Sequence, residues 1–124
     1  MNILVVDDEP TCRKLAKLVL ASDGHKVAEA KSAEHAIRKV VKNLPEIILL
    51  DIGLPGMDGL ALTRKLKDNP RTEHIPIVAV TSYPDRFPRE AAFDAGCDAY
   101  IVKPIDTRKL SEEVTKAKKA RGES

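Results

Sequence analysis

The stretch that decides the fold is IILLD, residues 47–51, in which four apolar residues are followed directly by a carboxylate. Three more apolar runs are followed by polar residues in the same way: residues 3–6 before Asp7, Asp8 and Glu9, residues 77–80 before Thr81 and Ser82, and residues 99–102 before Lys103 and Pro104. A short apolar run that stops at polar residues is typical of a buried strand. Parallel strands end at one edge of their sheet, so we predict that these polar groups converge there.

Segments with helical periodicity follow the strands. In the fourth of them, Pro88 is predicted at the first helical position and Gly96 just after the last. Residues 26–30 form a further, short strand, whose charged residues are typical of a sheet edge. Five successive βα units predict an α/β fold with a parallel five-stranded sheet and helices on both faces. With the second strand at an edge, we predict the doubly wound, flavodoxin-like strand order 2-1-3-4-5.

The composition is that of an ordinary globular domain. The 124 residues suit one domain, which we predict over residues 1–124, with its core over about residues 2–120 and a polar C-terminal tail. No apolar run approaches the roughly 20 residues of a membrane span, and a net charge of +2 gives no argument for nucleic acid. The two cysteines lack paired spacing, and no secretory leader is visible. We therefore expect a cytoplasmic protein that binds neither a membrane nor nucleic acid directly.

Taken together, the motifs resemble the receiver domain of two-component response regulators, the CheY-like family. The resemblance rests on Asp7-Asp8-Glu9, the segment DIGLPGMDG that begins at Asp51, Thr81-Ser82 and Lys103-Pro104. It covers nearly the whole chain, and within the family it is strongest to the single-domain, DivK-like regulators. It implies a phosphoacceptor signalling domain of a phosphorelay rather than an enzyme, for which slow autodephosphorylation is expected.

The resemblance implies that Asp51 is the phosphoacceptor, and a carboxylate can hold a phosphoryl group as an acyl phosphate. The donor would be a sensor histidine kinase or a phosphotransfer protein. The partner under control would be a downstream target protein or an output domain. Asp8, Asp51 and the carbonyl of Gly53 would bind Mg²⁺ directly, whereas Asp7 would act largely through water.

The acidic residues also indicate a cation by themselves. Like charges about 5 Å apart cost roughly 3 kcal/mol per pair at an effective dielectric near 20. If Asp51 only capped the loop after its strand, the two further acids after the neighbouring strand, Asp7 and Asp8, would remain unexplained. Carboxylates with a backbone carbonyl suit Mg²⁺, which prefers oxygen and keeps several waters. The same crowding predicts that Asp51→Asn stabilises the metal-free fold.

Three further roles come from the resemblance. Lys103 would hold the phosphoryl oxygens by its charge, and in the family the bond between this lysine and Pro104 is cis. Thr81 would hydrogen-bond the phosphoryl group, and Tyr100 would be the switch aromatic that turns inward when Thr81 moves. The surface made by the fourth helix, the fifth strand and the fifth helix would change as a result. Without the resemblance, Thr81 and Tyr100 would be interpreted as packing residues of strands.

One loop departs from the family pattern. Residues 83–88 contain two prolines and two aromatic residues where relatives often have a flexible, glycine-containing segment. Proline restricts its own φ and the conformation of the residue before it, so we predict that this loop moves less. Tyr83 stands two residues after Thr81, and Gly53 two after Asp51. We predict that Tyr83 slows dephosphorylation by shielding the path of the attacking water.

Three other functions share part of this pattern. A haloacid-dehalogenase-type phosphatase would use Asp51 as a nucleophile with Mg²⁺, but it needs a second Asp two positions later, where this chain has Gly53. A flavodoxin-like FMN protein has the same architecture, but aromatic residues make up only 3% of this chain and no Ser/Thr-rich loop follows the first strand. A pseudo-receiver would bind partners without phosphorylation, and the complete acidic set argues against it.

Overall fold

The computed structural model describes residues 1–122, over which five strands alternate with five helices. The strands are β1 (Asn2–Val6), β2 (Lys26–Ala30), β3 (Ile47–Asp51), β4 (Ile77–Thr81) and β5 (Ala99–Val102). The helices are α1 (Pro10–Ser22), α2 (Ala33–Lys42), α3 (Gly59–Lys67), α4 (Arg89–Ala95) and α5 (Leu110–Gly122). Within this range no helix has both the length and the apolar character that crossing a bilayer requires. The predicted polar tail is helical as far as Gly122, and Glu123 and Ser124 lie outside the described residues.

The strands form one parallel sheet in the order β2-β1-β3-β4-β5, so the predicted flavodoxin-like topology is confirmed. The prediction that β2 lies at an edge is also confirmed. The strand β3 has neighbours on both sides, and helices cover both of its faces, which explains its continuous apolar run. In register, Val6 lies beside Leu50, and Asp51 lies beside Val80. These pairings bring the C-terminal ends of three strands to one level.

The sheet separates two hydrophobic cores. One face packs against α2, α3 and α4, and the other packs against α1 and α5. Side chains of a strand alternate between the faces: in β3, Ile48 and Leu50 contribute to the first core, and Ile47 and Leu49 to the second. Burying each such side chain contributes about 1.5–3 kcal/mol relative to its exposure. The helices therefore cover both faces and leave the C-terminal edge of the sheet for polar groups.

The start of α3 positions the loop that follows Asp51. Asp58 is the N-cap of this helix, and its Oδ1 accepts a hydrogen bond from the N–H of Ala61 at 2.9 Å. A Cβ atom on Gly59 would collide with the backbone of Ile52. Only glycine allows so close an approach, so the loop and the helix stay packed directly behind the strand end.

The helix α4 begins one residue later than the sequence predicts. Pro88 is its N-cap, with extended backbone at φ −70° and ψ 158°, and Arg89 is the first helical residue. The fixed φ of proline suits both positions, so the residue type alone does not separate them. Gly96 ends the helix, as predicted, with a φ of +114° that an L side chain rarely adopts.

A cluster of charged residues lies at the other end of the strands, where β4 and β5 begin. Asp98, just before β5, accepts hydrogen bonds from Ile77 N at 2.8 Å, Lys67 Nζ at 3.3 Å and Arg121 Nη1 at 2.9 Å. Lys67 and Arg121 also donate to backbone carbonyls of the segment between α3 and β4. This cluster joins α3, β4 and the last turn of α5 at one place.

Candidate functional site

Three carboxylates meet at the C-terminal edge of the sheet. Asp7 and Asp8 follow β1, and Asp51 is the last residue of β3. One oxygen atom of each carboxylate lies within 4.8 Å of the others. The strand register explains this proximity, because Val6 pairs with Leu50 and the residues after them are therefore neighbours. The structure thus brings together the three acids that the sequence assigns to a metal site.

Lys103 reaches this acidic cluster from the end of β5. Its Nζ lies 2.9 Å from Oδ2 of Asp7 and 3.3 Å from Oδ2 of Asp51. The side chains of Lys103, Asp7 and Asp51 are only 10%, 7% and 11% exposed, respectively. The stability of such partly buried ion pairs requires both partners, because removing one leaves the charge of the other uncompensated. The bond between Lys103 and Pro104 is cis, the form that the resemblance implies.

The electrostatic environment of the cluster is dominated by burial and by Lys103. Burial raises the pKa of Asp7 above its ordinary value, although hydrogen bonds from Lys103 and from the N–H of Glu9 act in the opposite direction. Burial alone would lower the pKa of Lys103, but its hydrogen bond to Asp7 and the charge of Asp51 outweigh burial and raise that pKa. The lysine therefore stays charged. Among the residues that the structure describes, one ammonium group contacts two of the three carboxyl groups, so negative charge remains in excess.

The donor atoms and the excess charge fit a hard divalent cation. Every side-chain ligand in the acidic cluster is an oxygen, the donor type that Mg²⁺ prefers. Both oxygens of Asp7 already have partners, since Oδ1 accepts from the N–H of Glu9 at 2.9 Å and Oδ2 from Lys103. Asp8 is exposed. Both oxygens of Asp51 are engaged in the same way, by the N–H of Gly53 and by Lys103, so these contacts set the exposed Asp8 apart but do not separate Asp7 from Asp51.

Two aromatic rings border the approach to Asp51. The N–H of Gly53 donates to Oδ1 of Asp51 at 2.9 Å. A Cβ atom on Gly53 would lie 3.5 Å from that oxygen, 3.6 Å from Cε2 of Phe87 and 3.9 Å from Cδ2 of Tyr83. The lack of a side chain at Gly53 keeps a gap between these rings and the carboxylate. Tyr83 was predicted to shield Asp51, whereas the ring of Phe87 was not, although it is an aromatic residue of the same loop.

Thr81 and Tyr100 are connected through the loop between β4 and α4. The side chain of Thr81 is fully buried, and its Oγ1 accepts from the N–H of Tyr83 at 2.9 Å. The carbonyl of Tyr83 in turn accepts from the N–H of Phe87 at 2.9 Å. The hydroxyl of Tyr100 donates to the carbonyl of Phe87 at 2.5 Å. The main chain of Thr81 also contacts the lysine directly, since its carbonyl accepts from Lys103 N at 2.8 Å.

Comparison with known proteins agrees with this geometry. The family model of the response regulator receiver domain matches residues 3–115. The response regulator PleD of Caulobacter vibrioides is 40% identical over 105 residues, which are 85% of this chain but only 23% of PleD. The polar-differentiation response regulator DivK of Brucella ovis is 32% identical over 113 residues, 91% of this chain and 92% of DivK.

The fold comparison gives the same result. The crystal structure of a response regulator from Chloroflexus aurantiacus matches with a TM-score of 0.90 at 34% sequence identity, and the match covers 95% of this chain and 97% of that one. The chain thus spans less than a quarter of PleD, but nearly the whole of DivK and of the Chloroflexus protein. The chain belongs to the response regulator receiver domain family, the signalling domains of two-component systems.

Proposed function

We propose that Asp51 accepts a phosphoryl group from a sensor histidine kinase or a phosphotransfer protein in a Mg²⁺-dependent reaction. The phosphorylated domain would then control a downstream target protein or an output domain. The observation that carries the proposal is the contact of Lys103 Nζ with both Asp7 and Asp51 beside the exposed Asp8. Membership of a family whose receiver domains interact with histidine kinases and output targets supports it. The proposal includes a cytoplasmic location, which suits two free cysteines.

In the proposed reaction a carboxylate oxygen of Asp51 attacks the phosphorus of the donor, a bond to phosphorus forms, and the bond to the donor breaks. Lys103 can move one hydrogen bond from Asp51 to the phosphoryl oxygens because its contact with Asp7 holds it in place. Asp7, Asp8, Asp51 and the carbonyl of Gly53 would hold Mg²⁺. When bound, this ion would offset the negative charge of the carboxylates and of the phosphoryl oxygens.

The proposed switch begins at Thr81. Its Oγ1 already accepts a hydrogen bond from Tyr83, so its own hydrogen is available to a phosphoryl oxygen. Movement of Thr81 toward that oxygen would pull on Tyr83 and then on Phe87, whose carbonyl holds the hydroxyl of Tyr100. A phosphoryl group adds roughly −1.5 to −2 charges, which favour one arrangement of these contacts over another. The surface formed by α4, β5 and α5 would report the change.

Incubation with Mg²⁺ and acetyl phosphate tests the proposal. We expect the intact mass to increase by one phosphoryl group, and we expect NMR amide shifts to extend from the acidic cluster across α4, β5 and α5. An unaltered mass would contradict the phosphoacceptor role. Shifts confined to the acidic cluster would contradict the switch. Continuous release of phosphate from a small phosphomonoester would instead support the phosphatase alternative.

Replacement of Tyr83 by alanine should speed the loss of the phosphoryl group. The side chain of Tyr83 is 61% exposed, yet its Cδ2 borders the gap beside Gly53 and Asp51. Removing the ring widens the path for water, and we expect the rate of dephosphorylation to rise about three- to tenfold, which corresponds to roughly 1 kcal/mol of the barrier. The rate is measured from the decay of the phosphorylated mass after the donor is removed.

Two control variants separate shielding by this ring from a general loss of order. Tyr83→Phe keeps the ring and should retain the wild-type rate. Phe93→Ala removes an exposed aromatic residue of α4 away from Asp51 and should also leave the rate unchanged. An unchanged or longer lifetime in Tyr83→Ala would show that the ring does not shield the phosphoryl group.

A further inference from the structure

The strand β2 has one unpaired side. It lies at the edge of the sheet and pairs only with β1 among the described residues. Lys26 and Ala30 point their backbone groups toward β1. The N–H of Lys26 donates to the carbonyl of Met1, and the carbonyl of Ala30 accepts from the N–H of Asp7. Because alternate residues of a strand direct their backbone groups to opposite sides, the N–H and C=O groups of Val27 and Glu29 point away from β1. They form the row of open donors and acceptors that an edge strand offers to another chain.

Two adjoining grooves follow this open edge. They have volumes of about 560 and 550 Å³, and both are lined by Val27, Ala28 and Lys39. Among the described residues, their walls carry six cationic side chains and one carboxylate, namely Arg13, Lys17, Lys26, Lys31, Lys39 and Lys42, with Glu29. The whole chain has a net charge of only +2, so positive charge is concentrated at this edge.

The charge of the grooves remains in excess after internal pairing. Glu29 is already paired with Arg13 and Lys17, at 3.2 Å in each case. His35 lines one groove, and its pKa is lowered by desolvation and then by neighbouring positive charges, first among them Lys39. The direction of this shift agrees with a positively charged groove. The lysines at positions 26, 39 and 42 line the other groove, and within residues 1–122 no carboxylate lines its wall.

We propose that the β2 edge binds an extended, acidic segment of a partner protein, which adds a strand to the sheet. The backbone of the segment pairs with the open N–H and C=O groups of Val27 and Glu29. Its carboxylates face Lys26, Lys39 and Lys42. Ala28 is small and exposed, so it leaves room for side chains of the added strand on the side of α2.

The same features argue against two other occupants. If a second copy of the chain paired through its own β2 edge, the lysines of both copies would be brought together, and like charges that face each other across strands are destabilising. The phosphates of a nucleic acid would satisfy the lysines but would leave the carbonyl groups of Val27 and Glu29 without donors. An acidic peptide in extended conformation satisfies the charges and both kinds of backbone group.

The test uses a capped peptide of about six residues, a common strand length, in which glutamate alternates with valine. NMR of the whole chain should show shifts along β2 and α2, and the amides of Val27 and Glu29 should exchange more slowly with solvent. A peptide of the same sequence with methylated backbone nitrogens keeps the charge but loses the donors, and it should bind more weakly. Equal binding of both peptides, protection elsewhere, or no binding would overturn the proposal.

Variants test the backbone and the charges separately. Val27→Pro removes an open N–H at an edge position where proline is tolerated. It should weaken binding about three- to tenfold, the effect of losing one hydrogen bond. If this variant does not fold, the comparison with the methylated peptide tests whether backbone hydrogen bonds contribute to binding.

The charge variant is K39E combined with K42E, which should also weaken binding, whereas K116E combined with K119E on α5 serves as the matched control. Equal loss in both pairs would show non-specific attraction and overturn the proposal. So would a single-stranded oligonucleotide that protects the same β2 amides as strongly as the acidic peptide does.

Discussion

Replacing Asp51 with asparagine should abolish phosphoryl incorporation and, without divalent cations, should make the fold more stable. An amide does not attack phosphorus as a carboxylate does. The asparagine can keep the hydrogen bond that Oδ1 accepts from Gly53, so the loop is preserved. Because oxygens of Asp7 and Asp8 lie within 4.8 Å of one of Asp51, each repulsion costs at least about 3.5 kcal/mol at an effective dielectric of 20, whereas attraction to Lys103 at 3.3 Å gives about 5 kcal/mol. Removing the charge therefore gains about 2 kcal/mol.

Two measurements check this expectation. Urea unfolding in EDTA should give the variant a free energy of unfolding about 2 kcal/mol above that of the wild type. Intact mass after incubation with Mg²⁺ and acetyl phosphate should not change. Asp94→Asn, at an exposed position of α4, is the control and should affect neither quantity. A lower unfolding midpoint would contradict the crowding of charges, and a mass gain in the variant would contradict Asp51 as the acceptor.

Replacing Lys103 with methionine should have the opposite effect on stability. Methionine keeps an unbranched apolar stem but removes the ammonium that contacts Asp7 and Asp51. These carboxylates are 7% and 11% exposed, so they would be left shielded from water without a positive partner. Breaking a buried ion pair by removing one partner costs about 3–5 kcal/mol, and we expect a loss of that order in EDTA.

Added Mg²⁺ should recover part of this loss, because a ligand that binds only the folded state stabilises it. Lys116→Met, at an exposed position of α5, controls for the loss of one positive charge. Combining Lys103→Met with Asp51→Asn should lower the free energy of unfolding by less than the sum of the two single effects, since the two groups contact each other. If Lys103→Met unfolds at the wild-type urea concentration, the ammonium does not compensate the acids.

The topology followed from the sequence because each apolar run stops at polar residues. That pattern located the end of β3 at Asp51 and the end of β4 at Thr81, and the charged residues of the short segment 26–30 indicated that β2 lies at an edge. The start of α4 was less well determined, because proline is compatible with the N-cap and with the first helical position. Local pattern therefore fixes elements better than their first residues.

The sequence also predicted which acids lie together, since strand ends in a parallel sheet share an edge. It did not predict that Lys103 contacts Asp7 and Asp51 at once, or that Tyr100 donates to the carbonyl of Phe87. Both contacts depend on side-chain directions and on the path of a loop, which no periodicity encodes. The grooves along β2 were not predicted either, because their lysines come from separate elements.

The charged cluster around Asp98 holds the C-terminal end of α5 against the rest of the fold. Arg121 and Lys67 both contact Asp98, so the last turn of α5 is tied to α3 and β4. The other end of the helix, at Leu110, lies just beyond the loop that carries Lys103. If Asp51 is phosphorylated as proposed, we expect α5 to tilt about its tied end, with the largest displacement near Leu110 and the smallest near Arg121. A partner that binds the first turns of α5, near Leu110, would respond to the tilt, whereas a partner that binds near Arg121 would not.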